Sequence, residues 1–235
     1  MNSTKSFVAA AALACATLSV PAAAFGQVGY PPESSPFRDL EYRHELTLFG
    51  GVFNAGKDPA GVAPRGGPMA GLRYELRVGG PAHLMVRAAY VSSERQALNP
   101  AEPAASRDLG VHSGALYMLD AGVSVNLTGQ KSYRRLVPTI NAGIGLVSGG
   151  PDVDDDPFRF GTPFAITLGT GLRYVPGGRF AVRAGIDAYL YRLKYPTNYF
   201  ATSPDGTSVL DARQSTNFWK NNVALSLGAS YLFFR

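Results

Sequence analysis

The sequence has very little cysteine and, beyond its first 24 residues, no long apolar run. The only cysteine, Cys15, lies in an N-terminal segment where Lys5 precedes an apolar stretch at 7–20 and the small residues 22–24. This arrangement predicts a cleaved export signal over residues 1–24. The exported chain would lack thiols, which excludes disulfide scaffolds and cysteine enzymes. Without an apolar run of about 18 residues, a helical membrane protein is excluded as well.

Positive charge is not concentrated in one stretch. The formal net charge is only +5, and the arginines are scattered along the chain. A nucleic-acid-binding face would show a basic stripe, so we expect no nucleic-acid partner. Residues 25–43 show no hydrophobic period, which predicts a short periplasmic lead-in to a single domain at 44–235.

What the chain does have is alternation of apolar and polar residues. Successive side chains of a β-strand point to opposite faces, so this period of two predicts strands. A membrane-spanning β-strand needs about 9–11 residues, which these segments supply. The predicted strands are 45–54, 69–78, 83–92, 115–127, 136–147, 164–174, 180–194 and 222–234.

The connections between these segments are alternately long and short. Three of the long ones are 93–113, 148–163 and 195–221, whereas 79–81 and 176–178 are tight glycine-containing turns. In an antiparallel up-and-down barrel this places every long loop at one end, as in transmembrane barrels with short periplasmic turns and long extracellular loops. A soluble, lipocalin-like barrel remains the alternative for the fold.

The two faces of each segment differ in character. In segment 164–174, Phe164, Ile166 and Leu168 share one face, and Gly169 and Arg173 share the other. We expect the apolar face to meet lipid and the small polar face to line the interior. Aromatic residues near the strand ends predict two interfacial girdles: Tyr90, Phe164 and Trp219 at the long-loop end, and Tyr174, Phe180, Tyr231 and Phe233 at the short-turn end.

Together these patterns resemble the eight-stranded outer-membrane β-barrels, of the type of the outer-membrane protein A transmembrane domain. The resemblance covers the chain from about His44 to Arg235. Such proteins end in an aromatic residue that the assembly machinery reads, and Phe233 and Phe234 are similar to that ending, although Arg235 follows them. The resemblance implies a barrel alone, in the outer membrane of a Gram-negative-type bacterium.

The predicted inward faces carry an unusual number of charges. An eight-stranded barrel is just wide enough for side chains to fill, so these charges must be paired and hydrogen-bonded. We predict a salt-bridged plug; the alternative is a narrow porin-like conduit in which arginines favour anions. The predicted network is Glu45, Arg73, Glu75, Arg77, Arg87, Asp120, Arg173, Arg183 and Asp187.

Two further patterns suggest chemistry without establishing it. Some small outer-membrane barrels modify lipids, and His112 next to Ser113 would be the candidate pair. Adjacent strand residues point to opposite faces, so the pair does not predict a catalytic dyad. Carboxylates in the third long loop could hold a divalent ion, although they do not match a calcium loop and a solvated loop is the simpler interpretation: Asp152, Asp154, Asp155 and Asp156.

The sequence therefore predicts an integral outer-membrane barrel with a structural or surface-interaction role. The expected partners are outer-membrane lipid, lipopolysaccharide and the assembly machinery, and the barrel is expected to be monomeric. No catalysis, cofactor or metal is expected. A small-solute channel and a lipid-modifying enzyme are the alternative functions.

Overall fold

A computed structural model describes residues 35–233. The predicted export signal, with Cys15, and the terminal residues Phe234 and Arg235 lie outside the described residues. The described part contains ten antiparallel strands and one short 3-10 helix, Thr197–Phe200. The strands are β1 (Phe37–Asp39), β2 (His44–Asn54), β3 (Gly67–Gly79), β4 (Ala82–Leu98), β5 (Asp108–Asn126), β6 (Lys131–Tyr133), β7 (Leu136–Gly149), β8 (Phe164–Gly177), β9 (Phe180–Lys194) and β10 (Asn217–Phe233).

The eight long strands close into a ring. Each pairs with the next long strand along the chain, and β10 pairs back onto β2, from Leu232 opposite Glu45 to Val223 opposite Asn54. Closure gives the backbone N–H and C=O groups of every long strand a hydrogen-bonding partner strand on both sides, which an open sheet edge in a bilayer would lack. The predicted eight-stranded up-and-down barrel is confirmed.

The outside of the ring is apolar and the inside is not. On β8, Phe164, Leu168 and Leu172 are exposed, whereas Thr167 and Arg173 on the opposite face are buried. A water-soluble barrel has the opposite arrangement, with its apolar face in the core and polar side chains outside. The exterior is therefore a lipid-facing surface.

The predicted boundaries of two long loops were wrong: β10 begins at Asn217, inside the predicted loop 195–221, and the loop at 93–113 differs at both ends. The segment predicted as a polar loop at 93–113 is largely β-ribbon, because β4 runs on to Leu98 and β5 begins at Asp108. These extensions pair with each other, with Arg95 opposite His112. Their alternation is weak because they lie beyond the predicted membrane span, where outward-facing side chains do not need to be apolar.

The described residues contain no helix that is both long and apolar enough to cross a membrane.

Candidate functional site in the barrel interior

An inner charge cluster fills the interior towards the short-turn end. It consists of Glu45 and Glu75 with Arg73, Arg173 and Arg183, all of them buried. Arg183 lies 2.6 Å from Glu75 and 3.2 Å from Glu45. Arg173 bonds Glu45 directly and lies 3.6 Å from Glu75. Arg73 donates from Nε (2.9 Å) and Nη2 (2.5 Å) to Glu75 Oε1.

An outer charge cluster of Arg87, Asp120 and Asp187 lies next to it. The Arg87 guanidinium donates to both oxygens of Asp120, at 3.0 and 3.1 Å, and its Nη1 lies 2.6 Å from Asp187. The inner cluster has one arginine more than it has carboxylates, and the outer cluster has one carboxylate more than it has arginines. The two clusters therefore compensate each other, which buried charges require.

Strand alternation and small residues make this arrangement possible. Arg73 and Glu75 are two apart on β3, and Arg183 is four residues before Asp187 on β9, so each pair shares the inward face. Gly169 of β8 faces Asp187 across the ladder, and a Cβ there would lie 2.1 Å from Asp187 Oδ1. Any side chain at residue 169 would displace the carboxylate that Arg87 contacts.

Arg77, which was predicted to join the network, lies outside both clusters. It is half-buried near the short-turn end, and its Nη1 donates to the carbonyl oxygen of Leu40 at 2.7 Å. Its register on β3 places it inward, but two residues beyond Glu75 the strand has reached the mouth of the barrel.

The last residues of the predicted lead-in close that mouth. We call residues 36–43 the mouth segment. Leu40 and Tyr42 are buried there against Val137, Ala181 and Leu232, and β1 pairs with β6. The Arg173 guanidinium lies 5.2 Å from the centroid of the Tyr42 ring. Sequence reasoning missed this because two apolar residues in an irregular segment have no period.

The extracellular half of the interior is apolar, which corrects the prediction that the small polar face lines the whole barrel. Met118 and Leu116 lie two and four residues before Asp120 on β5, and both are buried. Phe53 packs edge-on against Tyr189 at 6.0 Å, and Phe160 against Tyr191 at 5.7 Å. This apolar tier comprises Phe49, Phe53, Ala63, Met69, Ala89, Val91, Leu116, Met118, Val147, Ala165, Tyr189, Tyr191, Leu193 and Ala224.

The extracellular loops fold over the apolar tier as a loop cap. Its own small core contains Val62, Phe158, Tyr195, Tyr199 and Leu210. At its base Arg95 lies 2.6 Å from Asp156, and both side chains are buried. Asp156 Oδ1 also accepts from the hydroxyl of Tyr199 at 2.9 Å.

Loop residues of the cap have shifted pKa values. Burial and then the negative charge of Asp156 raise the pKa of Tyr199 well above the ordinary tyrosine value, and burial with Asp58 does the same for Tyr195. Hydrogen bonds from the Ala104 backbone N–H and from the Thr207 hydroxyl lower the pKa of Asp205 to about 2. The bond from Ala104 connects the loop after β4 to the loop after β9.

The carboxylates proposed as a divalent-ion loop do not converge. Asp156 points inward to Arg95, Asp152 lies 3.4 Å from Arg159 at the surface, and Asp154 and Asp155 are exposed. Within residues 35–233, no group of three or more histidine, cysteine, aspartate or glutamate side chains is arranged to hold a metal ion.

His112 and Ser113 lie on opposite faces of the β5 extension. His112 is half-buried, with Nε2 3.2 Å from the Leu109 carbonyl oxygen, and Ser113 is exposed. Their side chains are directed apart, so the two do not form a nucleophile–base pair.

The aromatic residues predicted as girdles are on the outward face of the barrel, six of them exposed and Phe233 half-buried. Tyr231 packs between Phe180 and Phe233, with ring centroids 5.4 Å from Phe180 and 6.0 Å from Phe233. Tyr90 packs edge-on against Tyr117 at 5.7 Å, a partner that sequence reasoning missed.

The fold has clear counterparts among solved structures. Neisserial surface protein A matches with a TM-score of 0.52 and 12% identity, over 81% of this chain and 97% of that chain. The chain has the fold of the eight-stranded outer-membrane β-barrels. With its lipid-facing exterior, this barrel lies in the outer membrane, long loops outward. No protein-family model matches the sequence, and no curated protein matches it significantly.

Two other barrels superpose less closely. The N-terminal β-barrel domain of Pseudomonas aeruginosa OprF has a TM-score of 0.46 and 15% identity, over 82% of this chain and 98% of that chain. Ail, the attachment invasion locus protein of Yersinia pestis, solved with the heparin analogue sucrose octasulfate, has a TM-score of 0.36 and 15% identity, over 81% and 99%.

Proposed function

We propose that this outer-membrane barrel does not conduct solutes, and that it serves a structural or surface-interaction role through its loop cap. The observation that carries the proposal is the continuous filling of the interior. The mouth segment, the two charge clusters, the apolar tier and the loop cap follow one another along the barrel axis.

The cavity among the charge clusters is too small for a conduit. It measures about 20 Å³ and is lined by Arg73, Arg87, Asn141 and Asp187 among others. That is room for about one water molecule. An anion-favouring pore would also have to cross the packed apolar tier, where losing hydration is costly. The buried cation beside that tier, Lys220, already donates to the carbonyl oxygen of Pro64 at 2.8 Å.

The loop cap offers a surface on which an external partner could bind. A recess of about 620 Å³ lies between three loops, which is within the usual size range of ligand sites. Asn99, Asp155, Asn198 and Thr202 contribute polar groups to its lining. We propose that the protein is a monomer whose apolar exterior contacts outer-membrane lipid and lipopolysaccharide, and that it is inserted by the assembly machinery.

Conductance in planar bilayers tests the closed interior. The full chain, refolded and inserted, is expected to give no discrete current steps, while a general porin in the same bilayers serves as the positive control. Regular steps with anion selectivity would contradict the proposal and favour the channel.

Attachment of cells that display the protein tests the role of the loop cap. The triple variant Asp155→Asn, Asn198→Ala and Thr202→Ala is expected to reduce attachment, whereas the control Lys57→Ala with Arg213→Ala is not. A shift in electrophoretic mobility between unboiled and boiled samples in SDS must show that both variants are folded. Equal attachment by wild type and triple variant would exclude the recess as the interaction surface.

A further inference from the structure

The short-turn end of the barrel carries mostly basic side chains outside the lumen. Among residues 35–233 the exposed acids there are Asp39, which lies 3.8 Å from Lys131, and Glu41. The bases outnumber them, and all are exposed. We call these bases the basic collar: Arg38, Arg43, Lys131, Arg134, Arg135 and Arg179.

Two of these arginines occupy backbone positions that do not suit them. Tyr133 of β6 pairs with Leu136 of β7, so Arg134 and Arg135 form the whole turn between the strands. Both have positive φ, 49° and 69°. A two-residue hairpin turn with positive φ at both positions strongly favours Asn-Gly, because a Cβ is strained in the left-handed region. The Arg134 guanidinium lies 5.6 Å from the centroid of the Tyr133 ring, but the backbone conformation of the turn does not favour two arginines.

The basic collar lies at the level of the aromatic girdle at the short-turn end. Leu136 is paired with Tyr174, and the backbone N–H of Val175 donates to the Arg135 carbonyl oxygen at 2.7 Å. Arg179 Nη1 donates to the hydroxyl of Tyr231 at 3.1 Å. Tyrosines of such a girdle lie among lipid headgroups, so the guanidinium groups beside them lie there too.

We propose that the basic collar binds the headgroup phosphates of anionic phospholipids in the periplasm-facing leaflet. Guanidinium groups form paired hydrogen bonds with phosphate oxygens, and a cluster of basic side chains attracts an anionic membrane surface. The strain in the Arg134–Arg135 turn is retained because lipid contacts compensate for it. The proposal does not depend on the loop cap or on the closed lumen.

Native mass spectrometry of the full chain, released from vesicles of phosphatidylglycerol and phosphatidylcholine, tests this proposal. The variant Arg134→Asn with Arg135→Gly is expected to retain about tenfold less phosphatidylglycerol at limiting lipid. The same variant is expected to unfold at higher temperature in neutral detergent, because Asn-Gly relieves the strained turn. Opposite changes in lipid retention and stability would not arise if the arginines were only structural.

Two further variants complete the experiment. Arg38→Gln with Arg179→Gln leaves the turn intact and is also expected to lower phosphatidylglycerol retention, with phosphatidylcholine unchanged. Lys57→Asn with Arg213→Gln removes the same charge from the extracellular loops and is expected to behave as wild type. Unchanged phosphatidylglycerol retention in both collar variants would overturn the proposal, and so would an equal loss in the loop variant.

Discussion

The Arg87 guanidinium contacts carboxylates from two other strands, Asp120 of β5 and Asp187 of β9. Replacing Arg87 by methionine would keep much of the volume but leave two buried carboxylates without their cation. We expect Arg87→Met to lower the free energy of unfolding by roughly 3–5 kcal/mol. Asp187→Asn leaves the Arg87–Asp120 pair intact but removes the carboxylate that balances the extra arginine of the inner cluster, so its cost is expected to be smaller, about 2–3 kcal/mol.

Urea unfolding in lipid vesicles measures both changes. The exposed loop residue Arg213, changed to methionine, is the matched control and should leave the unfolding midpoint unchanged. If Arg87→Met cost no more than Asp187→Asn, Arg87 would not be holding both acids.

Tyr199 makes the loop cap sensitive to alkali. Because the folded state raises its pKa, the neutral hydroxyl stabilises the cap fully below the ordinary tyrosine pKa of about 10. Above that pH the unfolded cap loses the proton first, and stability falls as pH rises towards the folded pKa. Proteolysis of the loops should therefore accelerate above about pH 10.

Tyr199→Phe should flatten this pH dependence while making the cap less stable at neutral pH, since Asp156 loses a donor. Digestion with a protease that remains active in alkali, with Tyr90→Phe as the control, measures it. An unchanged profile in Tyr199→Phe would assign the effect to another group, such as Tyr195.

Among the elements, the mouth segment makes contacts inside the barrel although its sequence resembles a linker. Tyr42 is buried over Arg173, whereas Phe37 in the same segment is about half exposed and packs on Tyr133. We expect Tyr42→Ala to cost about 3 kcal/mol of unfolding free energy, in the range for buried aromatic truncation. Phe37→Ala should cost well under half of that, and equal losses in thermal unfolding would contradict a closed mouth.

The extended β4–β5 ribbon shows where strand prediction from pattern stops working. Inside the bilayer the outward residues must be apolar, so Leu84, Val86 and Ala88 make β4 easy to recognise. Beyond the membrane Ser92 and Glu94 take the same outward positions. The strand continues because backbone pairing does not require an apolar outer face.

At the scale of the whole molecule, complete closure of the sheet predicts resistance to detergent. The folded chain should migrate differently in cold SDS and after boiling, because no free edge of the barrel lets unfolding begin inside the bilayer. A gel of a washed outer-membrane fraction measures this shift. A chain recovered in the soluble periplasm with no shift would contradict the membrane location.

The barrel architecture and the residues that face inward could be derived from the sequence. A period of two identifies the faces, and alternately long and short connections predict an up-and-down ring. Glu45, Arg87 and Arg183 were therefore recognisable as interior residues. Their partners were not, because periodicity contains no information about which strands face each other across the lumen.

Only the tertiary structure decided those partners and the way in which the interior is filled. Arg173 and Glu45 are 128 residues apart and meet because β8 and β2 face across a narrow ring. The apolar tier takes residues from all eight long strands and the loop cap from three loops, so neither assembles until the ring closes. The sequence by itself determined alternation and strand number, which are local properties, whereas closure and register determine contacts across the barrel.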